Sequence, residues 1–534
     1  MKRRNGFRSL IDGFLESVER FPERTALAVD CRLVSYSDMC HSASRIASAI
    51  VHNEQNWSPL AAVWACRSLT AYAGILGALS TGKGYVPLNP KFPLERTCRM
   101  LSLSRCSVLI VGQECLSQLP NLLAQADGPL TVVLPEVHER DKLQVTIDGH
   151  RLIFADQLPE NGLFPIRADV GSENIAYLLF TSGSTGEPKG VPISHGNVRS
   201  YVDYVSRRYE VNEHDRFSQQ FDLTFDLSVH DMFVCWERGA SLYCVPEKSV
   251  MAPAKFIRDH QLTMWFSVPS VAGLLAKMRL LSRGSFPSLR CSLFCGEPLP
   301  GAYAQAWQEA APNSIVENLY GPTETTIAIT HYRWDSASSP MECVNGIVPI
   351  GQIFEGQQFR ITNPRGETVP KGAEGELRLS GSQVAHGYWN NPEKSGKQFL
   401  PLPGEEEQLW YRTGDIVKLN EAGNLCYLGR IDQQIKIRGY RVELQEIESV
   451  LRKACGTEQV VSVPWPVNDG SAGGVVAFVS GVRNLDEARV LASCSALLPD
   501  YMVPKSIYLI DELPLNSNQK IDRGKLASLL KGAA

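Results

Sequence analysis

Residues 177–198, YLLFTSGSTGEPKGVPISHGNV, constrain this chain more than any other stretch. An apolar run at 177–180 breaks into six small residues, Thr181-Ser182-Gly183-Ser184-Thr185-Gly186, and apolar residues return after Lys189-Gly190. The pattern predicts a strand, a loop and a second strand, with a helix starting at Ser194. A loop of glycines and hydroxyls leaves backbone N–H groups unobstructed, and its Ser and Thr side chains add further donors. A polyphosphate requires donors at that density, and Lys189 supplies a mobile positive charge. The common nucleotide loop GxxxxGK[ST] does not fit. Counted from Gly183, Pro188 stands at the second glycine and Gly190 stands where Ser or Thr belongs. Taken alone, the loop is either an unusual phosphate cradle or an unliganded Gly/Ser surface turn.

At 534 residues the chain exceeds one hydrophobic core, so more than one domain is expected. Its 44% apolar and 21% charged content is that of a soluble globular protein. A net charge of -4 provides no basic field for nucleic acid. The cationic start MKRRNGFRSLIDGF lacks the apolar run and cleavage site of a secretory signal. The most apolar stretch, 60–79, carries Arg67 and several small residues, which predicts a packed amphipathic helix and no membrane span. The 14 cysteines are scattered without a CxxC pair, which points to reduced thiols in a cytoplasmic setting.

Along the chain, residues 14–18 and 37–51 have helical spacing, while 25–29, 82–90 and 105–113 read as strand or extended segments. Alternating strands and helices predict an α/β fold with a mostly parallel sheet. Residues 118–172 read as loop. In 221–233, FDLTFDLSVHDMF, Asp226 and His230 stand four apart and share a face if the segment is helical. Asp226 is there a simple N-cap or a ligand carboxylate. The run 292–299 reads as a strand ending in a glycine turn, and nothing near Cys295 in sequence makes it a nucleophile. The cation-rich, glycine-punctuated run 429–441 reads as a solvated strand pair or a functional segment.

Thr181 to Val191 resembles the T-S-G-S-T-G-x-P-K-G-V signature of the adenylate-forming superfamily: acyl-CoA synthetases, luciferases and the adenylation domains of peptide synthetases. The resemblance continues through Asn318-Leu319-Tyr320-Gly321-Pro322-Thr323-Glu324, Tyr411-Arg412-Thr413-Gly414-Asp415, the run from Gly429 to Glu443, and Leu513 to Arg523. Four positions depart from the pattern: Asn89 for Asp, His386 for Arg, Asn516 for Thr and Gln519 for Gly. The resemblance implies an α/β fold with a large N-terminal domain of mostly parallel sheets, residues 1–431. A small mobile α+β domain, 432–534, follows a hinge at Asp432. It also implies ATP and Mg²⁺ as cofactors. Thr181, Ser182, Gly183, Ser184, Thr185 and Lys189 are expected to take the phosphates, and Tyr320, Gly321, Thr323, Asp415 and Arg430 the rest of the nucleotide. Glu324 is expected on the metal, and Lys520 as the catalytic lysine on the carboxylate and α-phosphate.

The family's amino-acid-activating members carry FDxS before a short helix, matched at Phe225-Asp226-Leu227-Ser228. Asp226 is then expected to pair with a substrate ammonium group. The implied substrate pocket is Asp226, Leu227, His230, Ser267, Leu293, Cys295, Leu319, Ile327 and Ala328, a compact set suited to a small amino acid. Segments 82–97 and 225–233 look most like ligases that load proline onto a discrete phosphopantetheine-bearing carrier protein. No carrier segment is seen after Lys520, so a free-standing ligase is expected. The alternatives are a D-alanine–carrier protein ligase, an acyl- or aryl-CoA ligase, and a non-catalytic nucleotide-binding relative. No nucleic-acid or membrane partner is expected.

Overall fold

The computed structural model describes residues 7–139, 149–160, 170–183, 187–432, 434–468, 471–482, 484–515 and 521–532. Two largely parallel sheets dominate the first 350 residues. One has seven strands in the order Arg151–Phe154, Thr131–Leu134, Val108–Val111, Leu60–Trp64, Gly84–Leu88, Ile175–Thr181, Lys189–Ser194. Only the last pairing is antiparallel. The other has nine strands, with a parallel centre and antiparallel strands at its edges. Near-continuous apolar strands such as Val108–Val111, buried along their whole length, follow from coverage by helices on both faces.

Local signals set many of the element boundaries. The Ser194 side chain accepts from Asn197 N–H and closes a capping box at the start of the helix His195–Arg208. Ser35 caps Tyr36–Asn53 in the same way. Two expectations fail. Residues 60–79 are a buried strand, Leu60–Trp64, followed by the helix Leu69–Ser80, which is buried from Thr70 to Ser80. The helix is covered on all sides, so it has no polar face to give amphipathic spacing. Within 118–172, read as loop, lie the helix Leu119–Leu123 and the strands Thr131–Leu134 and Arg151–Phe154. Four-residue strands are too short to show a period of two.

A five-stranded antiparallel sheet follows, built from Gln357–Thr362, Gly375–Gly381, Phe399–Leu402, Glu405–Leu419 and Leu425–Arg430. Beyond it, among the described residues, strands from Gln434 onward pair only with one another. They form a hairpin-based sheet and a three-stranded sheet around their own apolar clusters. The molecule is therefore a large domain of parallel sheets and a smaller α+β domain. Among the described residues no helix is long and apolar enough to cross a membrane.

Candidate active site

In the nine-stranded sheet the parallel neighbours Met264–Ser267, Cys291–Phe294 and Ile315–Tyr320 end side by side. Their carboxyl ends deliver Ser267, Cys295 and Tyr320 to one edge, the usual place for a ligand in an open parallel sheet. The carboxyl end of Ile175–Thr181, in the second sheet, brings Thr181 and Ser182 to the same cleft. Two cavities of about 750 Å³ and 690 Å³, counting their open mouths, meet at Gly296, Gly321, Pro322, Lys436 and Arg441. Gly321 allows the tight Tyr-Gly-Pro turn between them, since a Cβ there would lie 2.6 Å from Ala328 Cα. Just beyond, Thr326 and Ile327 both hold positive φ, 60° and 72°. Two β-branched residues in that region mark strain that the buried surroundings impose.

The first cavity contains Thr181, Ser182, Asp226, Leu227, Cys295 and Thr323. Asp226 is 4% exposed and stands at the start of the helix Leu227–Trp236, where its side chain makes no capping bond. Burial pushes its carboxyl up to about 6, against a Thr323 hydrogen bond and the charge of Lys436. Of the other predicted pocket residues, Leu319 lines the second cavity. His230, Ser267, Leu293, Ile327 and Ala328 are buried but line neither. The His230 Nδ1 lies 2.8 Å from Tyr201 Oη, and its ring packs 4.6 Å from Phe266. Burial holds this imidazole neutral, its pKa lowered to about 3. Cys295 is also inert in this setting, its thiol raised by burial to about 12.

The strands Ile175–Thr181 and Lys189–Ser194 form where predicted, on either side of the small-residue run. Thr181 Oγ1 is buried with no partner among the described residues. Ser182 Oγ donates to the Arg441 carbonyl at 2.7 Å and accepts from Glu443 N–H at 3.2 Å. Gly183 N–H donates to Glu446 Oε2 at 3.3 Å, and Glu446 Oε1 meets Arg96 at 2.6 Å in a buried pair. Lys189 and Arg441 hold the two oxygens of the fully buried Glu324, at 3.1 and 2.8 Å. Burial alone raises Glu324, but the two cations outweigh it and hold the carboxyl well below its ordinary range. Desolvation wins on the other partner, lowering Lys189 to about 8. Ser184, Thr185 and Lys520 lie outside the described residues.

Asp415, at the nucleotide end, accepts from Arg430 at 2.7 Å and from Tyr320 Oη. Arg430 also grips the expected hinge residue, Asp432, with two bonds at 2.7 and 2.8 Å. Glu324 suits Mg²⁺ as a lone carboxylate sharing the ion with phosphate oxygens. It is free to do so only when Arg441 withdraws. Among the described residues no cluster of three or more acidic, His or Cys side chains offers a metal cage of its own. His386 is exposed at the surface, with Glu173 the acid beside it at 3.8 Å.

Beyond the hinge at Asp432, the sequence reading gave the small domain one site residue, Lys520, and did not single out Lys436 and Arg441. The run read as a possible solvated strand pair is the hairpin Gln434–Ile437 and Tyr440–Glu443, docked against the large domain. Lys436 and Arg441 line both cavities, and burial drives the Lys436 ammonium pKa down. The density of cations in that run was the only local signal.

A family model described as AMP-binding enzyme matches residues 14–389. The chain is 32% identical over 523 residues to a dimodular nonribosomal peptide synthase of Bacillus subtilis, covering 97% of this chain and 21% of that protein. It therefore spans about a fifth of that relative's length. It is 30% identical over 535 residues to the D-alanine–D-alanyl carrier protein ligase of Lacticaseibacillus casei, covering 97% and 99% of the two chains. The crystal structure of the Vibrio cholerae adenylation domain AlmE in complex with glycyl-adenosine-5'-phosphate superposes with a TM-score of 0.88 at 35% identity over all of both chains.

Proposed function

The chain belongs to the AMP-binding enzyme family, and from that premise we propose that it joins a small amino acid to AMP and passes it to a carrier-protein thiol. The observation that carries this reading is Asp226. It is a buried carboxylate, not used as a helix cap, on a cavity that also reaches the phosphate loop. An isolated buried carboxylate is costly, and a substrate ammonium group offsets that cost by ionising it. An acyl or aryl acid has no cation to offer there.

In the activation step the amino-acid carboxylate oxygen attacks the α-phosphorus of ATP, and pyrophosphate leaves with the broken P–O bond. Asp226 holds the ammonium end and Thr323 orients Asp226. Thr181, Ser182 and Lys189 grip the phosphates, Tyr320 and Gly321 border the base, and Asp415 with Arg430 receives the ribose. Lys520 neutralises charge developing between the carboxylate and the α-phosphate. Mg²⁺, carried in with ATP and held by Glu324, supplies charge neutralisation on the phosphate oxygens. After pyrophosphate leaves, the small domain turns about Asp432 and presents the hairpin face.

The side-chain pocket supports the smallest substrates. Beyond Asp226, Leu227 and Cys295 its expected wall is closed, with His230 tied to Tyr201 and wedged against Phe266. Glycine, the aminoacyl group in the AlmE complex, fits such a wall without rearrangement. Proline, suggested by sequence segments, and D-alanine, suggested by the carrier ligase relative, are the alternative substrates. An ATP–pyrophosphate exchange assay over glycine, both alanine enantiomers, proline and benzoate tests the reading. Exchange is expected to be greatest with glycine. Exchange with benzoate and none with amino acids would overturn it.

A further inference from the structure

The turn of the docked hairpin is fastened by a residue that the site chemistry does not use. Gly439 N–H donates to Glu297 Oε1 at 2.8 Å, across 142 residues of sequence. The other carboxylate oxygen accepts from Ser270 N–H at 2.9 Å. Ser270 lies in the first turn of the helix Pro269–Lys277, where backbone donors have no intrahelical partner and negative charge is favoured. Glu297 is 8% exposed. One of its oxygens therefore serves the large domain, and the other serves a contact that exists only while the hairpin is docked.

The surroundings make that contact selective. Gly439 has φ +84°, and a Cβ there would come within 2.5 Å of Val268 Cγ1. Tyr440, next in the chain, stacks on Phe225 at 5.6 Å and on Tyr501 at 4.1 Å. Phe225 precedes Asp226, so the fastened turn sits beside the amino-acid end of the cleft. The same docking engages Ser182, Gly183 and Glu324 through Arg441, Glu443 and Glu446. This orientation cannot coexist with a polyphosphate on those groups, so it belongs to the step after pyrophosphate has gone.

We infer that Glu297 is a positioning residue for the transfer step, fastening the Gly439 turn to the large domain beside the aminoacyl group. The inference rests on the function proposed above. In that step the thiol sulfur bonds to the carbonyl carbon and the carbonyl-oxygen bond to phosphate-borne AMP breaks. AMP leaves with the electron pair, and the thiol proton passes to solvent. Glu297 touches none of these atoms. A hydrogen bond from a backbone N–H to a buried carboxylate is among the stronger kinds; glutamine removes the charge and sets an NH₂ donor where one of the two accepting oxygens stood. Weaker docking then lowers the population of the transfer-ready state by roughly ten-fold.

The test uses the full chain, wild type and Glu297→Gln, with glycine, ATP and free pantetheine as the thiol. Pyrophosphate exchange is expected to stay within about two-fold, while pantetheine thioester formation falls about ten-fold. Unchanged thioester formation, or an equal fall in both half-reactions, overturns the inference. Wild-type protein inactive in exchange with every amino acid refutes the proposed function instead. Amide hydrogen exchange then decides on Glu297 without substrate. Faster exchange at Gly439 and Tyr440 with an unaltered helix Pro269–Lys277 supports the role, and identical exchange at Gly439 overturns it.

Discussion

The two ends of the cleft are built on opposite terms. At the end proposed for the phosphates, Ser182, Gly183, Lys189 and Glu324 already have partners, most of them from the small domain. At the end proposed for the amino acid, Asp226 faces a cavity with no carboxylate–cation bond among the described residues and a carboxyl raised to about 6. The first end is mostly paired internally, Thr181 Oγ1 being the exception, and those pairs must open before an anion binds there. The second is left costly and improves when a cation arrives. The contrast assigns competition to one end and selection to the other.

The largest expected effect lies at the selective end. Asp226→Ala should reduce amino-acid-dependent pyrophosphate exchange by a hundred-fold or more, because a buried ammonium without its counter-ion costs several kcal/mol. Unchanged turnover would erase the contrast. At the other end, Glu446→Gln removes an internal anion from the phosphate loop. Pyrophosphate titrated calorimetrically into the ligand-free variant should bind about ten-fold tighter than to wild type, since fewer molecules hold the loop closed. Equal affinity would show that Glu446 does not compete.

Acidity sharpens the comparison further. Asp226 must be ionised to hold an ammonium group, and its carboxyl is raised to about 6. The amino-acid KM should therefore rise as pH falls through 6, by about ten-fold one unit below it, while the KM for ATP moves less. The same acidity acts on stability. A raised carboxyl stabilises the ligand-free fold below its ordinary pKa, near 4, and that contribution is lost as pH rises through 6. Asp226→Asn should thus be more stable than wild type at pH 8, by ~3 kcal/mol, with the gap closing at pH 4. Thermal melts at the two pH values measure it, and a constant gap would assign the gain to packing.

Much of the fold was legible because its signals are local. The strand–loop–strand at 177–194, the cap at Ser194 and the extended segment ending at Leu88 all follow from spacing and turn chemistry within a few residues. The short strands between 118 and 172 were not legible, since four residues carry too little pattern. Within the site, Asp226, Thr323, Thr181 and Ser182 line one cavity. His230, Ser267 and Leu293 are buried and do not line the open cavity, and the Phe266 ring packs against His230.

What this chain's residue order determined by itself was a cradle of donors between two strands and a carboxylate opening a helix, since both depend on near neighbours. Only the tertiary structure decided what those groups face. Glu446 reaches Gly183 across 263 residues, and Glu297 reaches Gly439 across 142. Such pairings come from two domains packing together, and no local period or turn encodes them. Burial in the folded chain likewise removes water from Asp226 and raises its carboxyl.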